Sequence, residues 1–214
     1  GNLEFIKEDI GDGPPSEPLN DAQTAAQRGS ELIKSMLVFS QRSHLSPEAV
    51  DVNGIIAATC AEFQTDADHP FELDLAGDLN LIKVDVKVFD AVLSNLLGNA
   101  RDAMPDGGTV HITTENITHY FADQRPFASV LVPGSYVRVS VQDNGYGISQ
   151  DRLAQIFDPF YTTKPVGAGM GLGLSMALGF MQQSGGTVAV HSDVVQGSTF
   201  QLYFPAVSTS EAIC

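Results

Sequence analysis

One stretch in the middle of the chain decides the fold: Asn95-Leu96-Leu97-Gly98-Asn99-Ala100-Arg101-Asp102-Ala103-Met104. On a helix, Asn95, Asn99 and Asp102 share one face, because residues three and four apart are neighbours, and the leucines between them can pack inward. The pattern predicts a buried helix from Asp85 to Met104 with oxygen ligands along one side. Amide oxygens suit Mg²⁺, a hard cation that keeps several waters and binds nucleotide phosphates. The asparagines could equally cap or solvate the helix, so this stretch alone leaves both interpretations open.

A second segment follows a β-rich run and reads Asp143-Asn144-Gly145-Tyr146-Gly147-Ile148. Its two glycines allow the backbone to approach a flat ring, and its carboxylate can accept a hydrogen bond from an exocyclic amine such as that of adenine. Taken alone, Asp-Asn-Gly is more often a tight turn.

A third segment combines aromatic residues with hydroxyls and a lysine: Ile156-Phe157-Asp158-Pro159-Phe160-Tyr161-Thr162-Thr163-Lys164. The aromatic residues can anchor the segment while the polar ones face a ligand. The alternative is a surface loop held in place by its two phenylalanines.

A glycine-rich run leads directly into a predicted helix: Gly167-Ala168-Gly169-Met170-Gly171-Leu172-Gly173-Leu174-Ser175. Backbone N–H groups at a helix N-terminus attract anions, and alternating glycines give the mobility that a lid over phosphates needs. The run is not a Walker A loop, since no Gly-Lys-Ser/Thr follows, and it is not a dinucleotide fingerprint, since no strand precedes it.

Helices and strands alternate around these segments. Further helices are predicted from Val52 to about Asp66 and from about Leu172 to Gln183. Strands are predicted at Phe71–Leu75, Gly108–Thr114, Tyr136–Val141, Thr187–His191 and Ser198–Phe204. The order predicts an α+β fold, in which a mixed sheet carries helices on one face.

The first part of the chain has a different, helical pattern. Apolar residues recur there at alternating spacings of three and four, which is typical of a heptad seam packed on a partner helix: Ala22, Ala25, Gly29, Leu32, Met36 and Phe39. With the apolar stripe before Gly11, the pattern predicts a helical hairpin, although an amphipathic helix packed on its own domain also fits. The expected organisation is a hairpin over residues 1–46, a domain over 47–207 and a tail over 208–214.

Composition narrows the class of protein. The 214 residues carry 26 acidic and 11 basic side chains, and a net charge of -15 would repel nucleic acid and anionic lipid. No apolar stretch approaches the roughly 20 residues that a membrane helix requires. The two cysteines form neither a disulfide framework nor a metal cluster. We therefore expect a cytoplasmic fragment without nucleic-acid or membrane partners, although a parent protein could be membrane-anchored.

The order and spacing of the four segments closely resemble the GHKL ATPase superfamily and, within it, the histidine kinases. Three sequence segments are similar to those of hybrid sensor kinases that bear a receiver domain: Asn95–Met104, Phe157–Lys164 and Gly171–Ser175. Residues 20–46 resemble the second helix of their dimerisation and histidine-phosphotransfer hairpin. The resemblance implies a two-layer α/β sandwich of the Bergerat type, preceded by a hairpin that dimerises as a four-helix bundle.

The resemblance also implies roles for individual residues. Asn99 would coordinate Mg²⁺ with Asn95 beside it, and Lys164 would approach the phosphates of ATP, so these three are the expected catalytic residues. Asp143 would bind the adenine amine. The other expected nucleotide-binding residues are Asp102, Gly145, Gly147, Thr163, Gly169, Gly171, Leu172, Gly173 and Thr199, the last supporting the adenine-binding carboxylate through water.

The function implied is transfer of the ATP γ-phosphate to a histidine, for relay to an aspartate of a response-regulator receiver domain. The acceptor histidine of the family precedes an acidic residue on the first hairpin helix, whereas the predicted helix here begins only at Gly1 and none of the five histidines fits. We therefore expect the acceptor to be missing from this chain, and the sequence leaves open whether it lies upstream of Gly1.

Three alternatives remain within the superfamily: an ATPase or chaperone, a serine kinase, and a phosphorelay module that does not use ATP. The ATPases carry a glutamate four residues before the metal-binding asparagine, where this chain has Asn95, so transfer is favoured over hydrolysis. The intact glycine-rich run and the asparagine pair argue against a module without ATP.

Overall fold

The computed structural model describes residues 46–63, 69–119, 131–165 and 169–207, together with the single helical positions Ala22 and Gly29. The hairpin predicted over residues 1–46 and the tail over 208–214 lie almost entirely outside the described residues. They remain predictions.

Helices and strands alternate through the described ranges, as the sequence predicts. In chain order the elements are β1 (Glu48–Val50), α1 (Val52–Phe63), β2 (Phe71–Leu75), β3 (Ile82–Val84), α2 (Val86–Asp102), β4 (Val110–His119), β5 (Gly134–Asp143), α3 (Gln150–Leu153), α4 (Gly173–Gln183), β6 (Thr187–Asp193) and β7 (Gly197–Pro205). The sequence did not predict β1, β3 or α3. Each of them has only three or four residues, which is too short for a hydrophobic period to show.

The main sheet has the strand order β2-β4-β5-β7-β6. Strand β2 runs parallel to β4, and the other neighbours are antiparallel, so the predicted mixed sheet is confirmed. Strands β1 and β3 form a small antiparallel pair, which a bridge between Ile82 and Ala206 connects to the residue after β7.

One face of the sheet and the three longer helices form the core. Phe89 of α2 and Phe180 of α4 both pack on Phe204 of β7, with ring centroids 5.8 and 6.1 Å from it. These three side chains are almost completely buried. The arrangement is the predicted α+β fold, with helices α1, α2 and α4 in one layer and the sheet in the other. Among the described residues, no helix has both the length and the apolar character needed to cross a membrane.

Helix α2 has a clear start and a clear end. Asp85 caps it, because its carboxylate accepts hydrogen bonds from the N–H groups of Lys87 (3.1 Å) and Val88 (3.3 Å). The helix ends at Asp102, two residues before a turn that contains Pro105, which cannot continue it. Its buried face consists of Phe89, Val92, Leu93, Leu96, Leu97 and Ala100. This burial fixes the rotation of the helix and turns the opposite face, with its polar side chains, toward a cavity.

Candidate functional site

A cavity of about 420 Å³ opens between α2, the loop after β5 and the segment before α4. Its size is in the range of small-molecule sites. Most of the residues that the sequence singles out line it: Asn95, Asn99, Asp102, Asp143, Gly147, Thr163, Lys164, Gly169, Gly171, Leu172 and Gly173. Two do not, namely Gly145 and Thr199. The fold thus brings together four segments that are separated by up to about 80 positions in the chain.

In the wall of the cavity a lysine bridges two oxygens of α2. The Nζ of Lys164 lies 2.5 Å from Oδ2 of Asp102 and 3.3 Å from Oδ1 of Asn99. The Lys164 and Asp102 side chains are 34% and 45% exposed, so the ion pair is open to solvent. An amide oxygen and a carboxylate therefore converge on a single cation.

Asn95 lies one turn earlier on α2 and has a buried amide nitrogen. Its Nδ2 has no hydrogen-bond partner among the described residues. Buried polar groups in folded proteins are nearly always paired, so an orphan at the wall of a cavity indicates a group that a ligand can satisfy. The same side chain packs against Gly173, where a β-carbon would lie 1.9 Å from Oδ1 of Asn95.

Asp143 is the buried carboxylate of the site, with only 4% of its surface exposed. Its Oδ1 accepts hydrogen bonds from the N–H groups of Gly145 (2.9 Å) and Ser198 (3.1 Å). Burial raises the pKa of Asp143 above its usual value, and the two backbone hydrogen bonds act in the opposite direction. Both bonds go to Oδ1, which leaves Oδ2 to accept a hydrogen bond from a ligand.

The structure places Ser198, rather than Thr199, beside this carboxylate. Successive side chains of a strand point to opposite faces, and Ser198 and Phe200 both line the cavity, so Thr199 points to the other face of the sheet. The side-chain hydroxyl of Ser198 lies 3.0 Å from that of Ser192, which in turn accepts a hydrogen bond from the N–H of Ile148 (2.7 Å). The structure thus brings Ser198, and not Thr199, next to Asp143, while the role expected for Thr199 stays a prediction.

Two glycines after Asp143 allow the loop to fit between its neighbours. A β-carbon on Gly145 would lie 2.4 Å from the carbonyl oxygen of Ala103, just beyond α2. Gly147 has a φ of +70°, and a β-carbon there would lie 2.1 Å from the carbonyl oxygen of Asp193. Gly145 thus packs behind the cavity wall, while Gly147 forms part of it.

The aromatic segment is joined to the glycine-rich run by one short contact. The N–H of Phe160 donates to the carbonyl of Gly171 at 2.8 Å, and both residues have a positive φ. A β-carbon on Gly171 would lie 2.5 Å from the carbonyl oxygen of Tyr161, so glycine is required there. Of the two phenylalanines, only Phe157 packs against the core, whereas Phe160 is 57% exposed.

Several residues of the cavity wall were not predicted from the sequence. They are Ala103, Tyr146, Ile148, Arg152, Ile156, Tyr161, Thr162, Met170, Leu174, Met176, Ser198 and Phe200. Most are apolar and give the cavity a hydrophobic wall. Thr162 and Ser198 are polar, and Arg152 is charged. Arg152 is an exposed cation on the four-residue helix α3, for which no sequence period provides a signal.

Comparison with known proteins defines the class. The family model described as histidine kinase-, DNA gyrase B- and HSP90-like ATPase matches residues 84–208, which include α2, the loop after β5 and the glycine-rich run. The chain belongs to this family, so the domain around the cavity is an ATP-binding domain.

Its relatives over most of its length are sensor kinases. The sensor kinase CckA of Brucella abortus (strain 2308) is 38% identical over 194 residues, which is 89% of this chain and 20% of the relative. The sensor histidine kinase ZraS of Escherichia coli (strain K12) is 32% identical over 183 residues, covering 84% of this chain and 36% of the relative. The chain thus spans between a fifth and little more than a third of these proteins.

Solved structures agree on the fold. Full-length ShkA, crystallised with AMPPNP, has a TM-score of 0.74 at 22% identity, covering 97% of this chain and 42% of that one. The catalytic domain of the histidine kinase ThkA has a TM-score of 0.60 at 25% identity, covering 75% of this chain and 96% of that one. The Bergerat-type fold that the sequence predicts is therefore confirmed.

Proposed function

We propose that this chain is the catalytic core of a two-component sensor histidine kinase, which transfers the γ-phosphate of ATP to a histidine side chain. The observation that carries the proposal is the pair of polar groups in the cavity wall. The wall combines a buried carboxylate, Asp143, with a separate cluster of amide, carboxylate and ammonium groups around Asn99, and we call these two parts the base end and the phosphate end. ATP has matching ends, with a base that carries an exocyclic amine and a charged triphosphate.

At the base end, Asp143 would accept a hydrogen bond from the adenine amine through Oδ2. Ser198 fixes the carboxylate through its N–H and lines the cavity, and its hydroxyl would hold a bridging water. Gly147 lets the backbone approach the ring, and Ile148 and Phe200 offer apolar surface to it. Guanine has a carbonyl where adenine has the amine, so this end should select ATP over GTP.

At the phosphate end, the described residues offer hydrogen-bond donors and the Lys164 cation. The ammonium of Lys164 and the hydroxyl of Thr163 would bind phosphate oxygens, and the orphan Nδ2 of Asn95 can donate to another. The N-terminus of α4 also faces the cavity through Leu172 and Gly173, and its free N–H groups favour an anion. Phosphoryl transfer depends mainly on such positioning and charge stabilisation.

The residues present fit Mg²⁺ at the same end. The Oδ1 of Asn99 already contacts one cation, the Lys164 ammonium, and an amide oxygen is a hard donor of the kind that Mg²⁺ prefers. Within the described residues, no group of three His, Cys, Asp or Glu side chains could hold a metal alone. This suits Mg²⁺, which takes most of its ligands from phosphates and water. When bound, it would neutralise charge on the phosphates, with Asn99 as its main protein ligand.

The ATPase alternative is disfavoured by the carboxylates of the cavity. Among the residues that the structure describes, the lining contains only two of them, Asp102 and Asp143. Asp143 is bound to two backbone N–H groups at the base end, and Asp102 is paired with Lys164. Neither is placed to activate a water at the γ-phosphate, and Asn95 stands where the ATPase relatives carry their glutamate. Transfer to a side chain presented from outside is therefore the better assignment.

The proposal extends to partners of the whole protein. The heptad seam from Ala22 to Phe39 would form a homodimer through a four-helix bundle, which would present a histidine from upstream of Gly1. A receiver domain would then accept the phosphate on an aspartate. Such a protein would keep this domain on the cytoplasmic side, where ATP is available.

A calorimetric titration combined with a hydrolysis assay tests the proposal. The chain should bind ATP and ADP in the presence of Mg²⁺ and bind GTP much more weakly, and its steady-state hydrolysis should stay near the uncatalysed background. Equal binding of GTP would contradict the assignment of the base end. Rapid hydrolysis would favour the ATPase alternative.

A further inference from the structure

Asp102 and Lys164 connect two parts of the site that are 62 positions apart in the chain. Asp102 is the last residue of α2, whereas Lys164 belongs to the segment between the aromatic residues and the glycine-rich run. The backbone N–H of Lys164 donates a hydrogen bond to the hydroxyl of Thr162 at 3.2 Å. The side-chain Cδ of Lys164 would lie 3.0 Å from a β-carbon on Gly169. Lys164 therefore contacts both α2 and Gly169, which we call the root of the glycine-rich run.

The position of Asp102 is unfavourable for direct contact with phosphates. A carboxylate beside a triphosphate repels it, and the chain as a whole already carries a net charge of -15. Within the described part of the chain, the cavity lining offers two basic side chains, Lys164 and Arg152. A carboxylate at this point is explained if its partner is one of these cations, and the geometry identifies that cation as Lys164.

Building on the nucleotide-binding function proposed above, we infer that Asp102 is a positioning residue that acts through Lys164. Its carboxylate holds the ammonium beside Asn99 before a nucleotide arrives, and so fixes the root of the glycine-rich run to α2. Asp102 would then affect nucleotide binding only while Lys164 is present. This role differs from direct binding of nucleotide or metal by the carboxylate.

A double-mutant cycle separates the two roles, because removal of Lys164 cancels only an effect that passes through it. The variants are Asp102→Asn, Lys164→Met and the combination of both. Asp106→Asn is the matched control, since it removes the same charge from an exposed aspartate that does not line the cavity.

The first measurement is amide hydrogen exchange of residues 161–165 and 169–175 in the nucleotide-free protein. Each single variant should raise exchange by about two- to fivefold, the range expected for loss of a partly exposed ion pair. The double variant should exchange no faster than the faster single variant, and Asp106→Asn should leave exchange unchanged. Unaltered exchange in Asp102→Asn would overturn the inference.

The second measurement is ADP affinity in the presence of a chelator, which excludes any effect of a bound metal. Asp102→Asn should change the affinity in the parent chain and leave it unchanged in the Lys164→Met background. A change of similar size in both backgrounds would overturn the inference and assign a direct role to the carboxylate. The exchange measurement contains no nucleotide, so it tests the role of the Asp102–Lys164 ion pair even if the proposed function fails.

Discussion

Gly173, the first residue of α4, lies so close to Asn95 of α2 that a β-carbon on the glycine would be 1.9 Å from the Oδ1 of the asparagine. The start of α4 and the Asn95 side chain are therefore packed directly against each other. This contact explains a glycine at a helix start, where conformational freedom alone does not require it.

Gly173→Ala should destabilise the domain and weaken ATP binding, because the added methyl group forces the Asn95 side chain out of place. The expected loss of unfolding free energy is about 1–3 kcal/mol. Gly98→Ala is the control, since a β-carbon on that helical glycine meets nothing within 4 Å and alanine is the better helix former. Urea denaturation of both variants checks the prediction, and equal stabilities would show that the contact is not tight.

Asp143→Asn should leave the fold intact and weaken ATP binding by about 10- to 100-fold, the usual cost of losing a hydrogen bond to a charged group. The asparagine can still accept both backbone N–H groups, but it can present an amide to the base in place of a carboxylate. Asp74→Asn, on the exposed face of β2, is the control for the charge change. Titration with ATP measures the effect, and near-normal affinity of the folded Asp143→Asn variant would mean that the base end is misassigned.

The raised pKa of Asp143 predicts a dependence of stability on pH. A carboxyl group whose pKa is higher in the folded state favours folding below its unfolded pKa, and this contribution is lost as pH rises through the folded pKa. Asp143→Asn should therefore gain stability relative to the parent chain as pH rises through the carboxyl range. Denaturation midpoints of the two proteins at several pH values check this. A constant difference between them would contradict the prediction.

Ser198→Ala should weaken ATP binding several-fold, since Ser198 lines the cavity and neutral hydrogen bonds contribute about 0.5–1.5 kcal/mol. Thr199→Val should leave the affinity within about twofold, because that side chain points to the opposite face of the sheet. The two titrations are each other's controls. A larger loss in Thr199→Val would support the role expected for Thr199 instead.

The position of Ser198 on β7 shows which parts of the site the sequence can predict. Phe200, Leu202 and Phe204 alternate along β7, so the phase of the strand already places Ser198 on their face. The same reasoning on α2 placed Asn95 and Asn99 together, because a long amphipathic helix fixes its own rotation. Register and phase can thus be read from long elements.

Arg152 and the exposed Phe160 illustrate the limit. Arg152 lies on a helix of four residues, where no periodicity develops, and it reaches the cavity only because the chain folds back after β5. A phenylalanine is expected in the core from its residue type alone. Phe160 instead has a positive φ, its N–H is bonded to the carbonyl of Gly171, and its ring is exposed to solvent. Both depend on tertiary contacts that local sequence does not encode.

The most direct test of the central claim is phosphoryl transfer to a separate polypeptide. A separate polypeptide that carries the histidine-bearing first hairpin helix of a sensor kinase is mixed with this chain and radiolabelled Mg-ATP. We predict acid-labile phosphate on the added helix, none on the chain itself, and loss of labelling when Asn99 is replaced by alanine. Acid-stable phosphate on a serine of this chain, or rapid ATP hydrolysis without any transfer, would contradict the account.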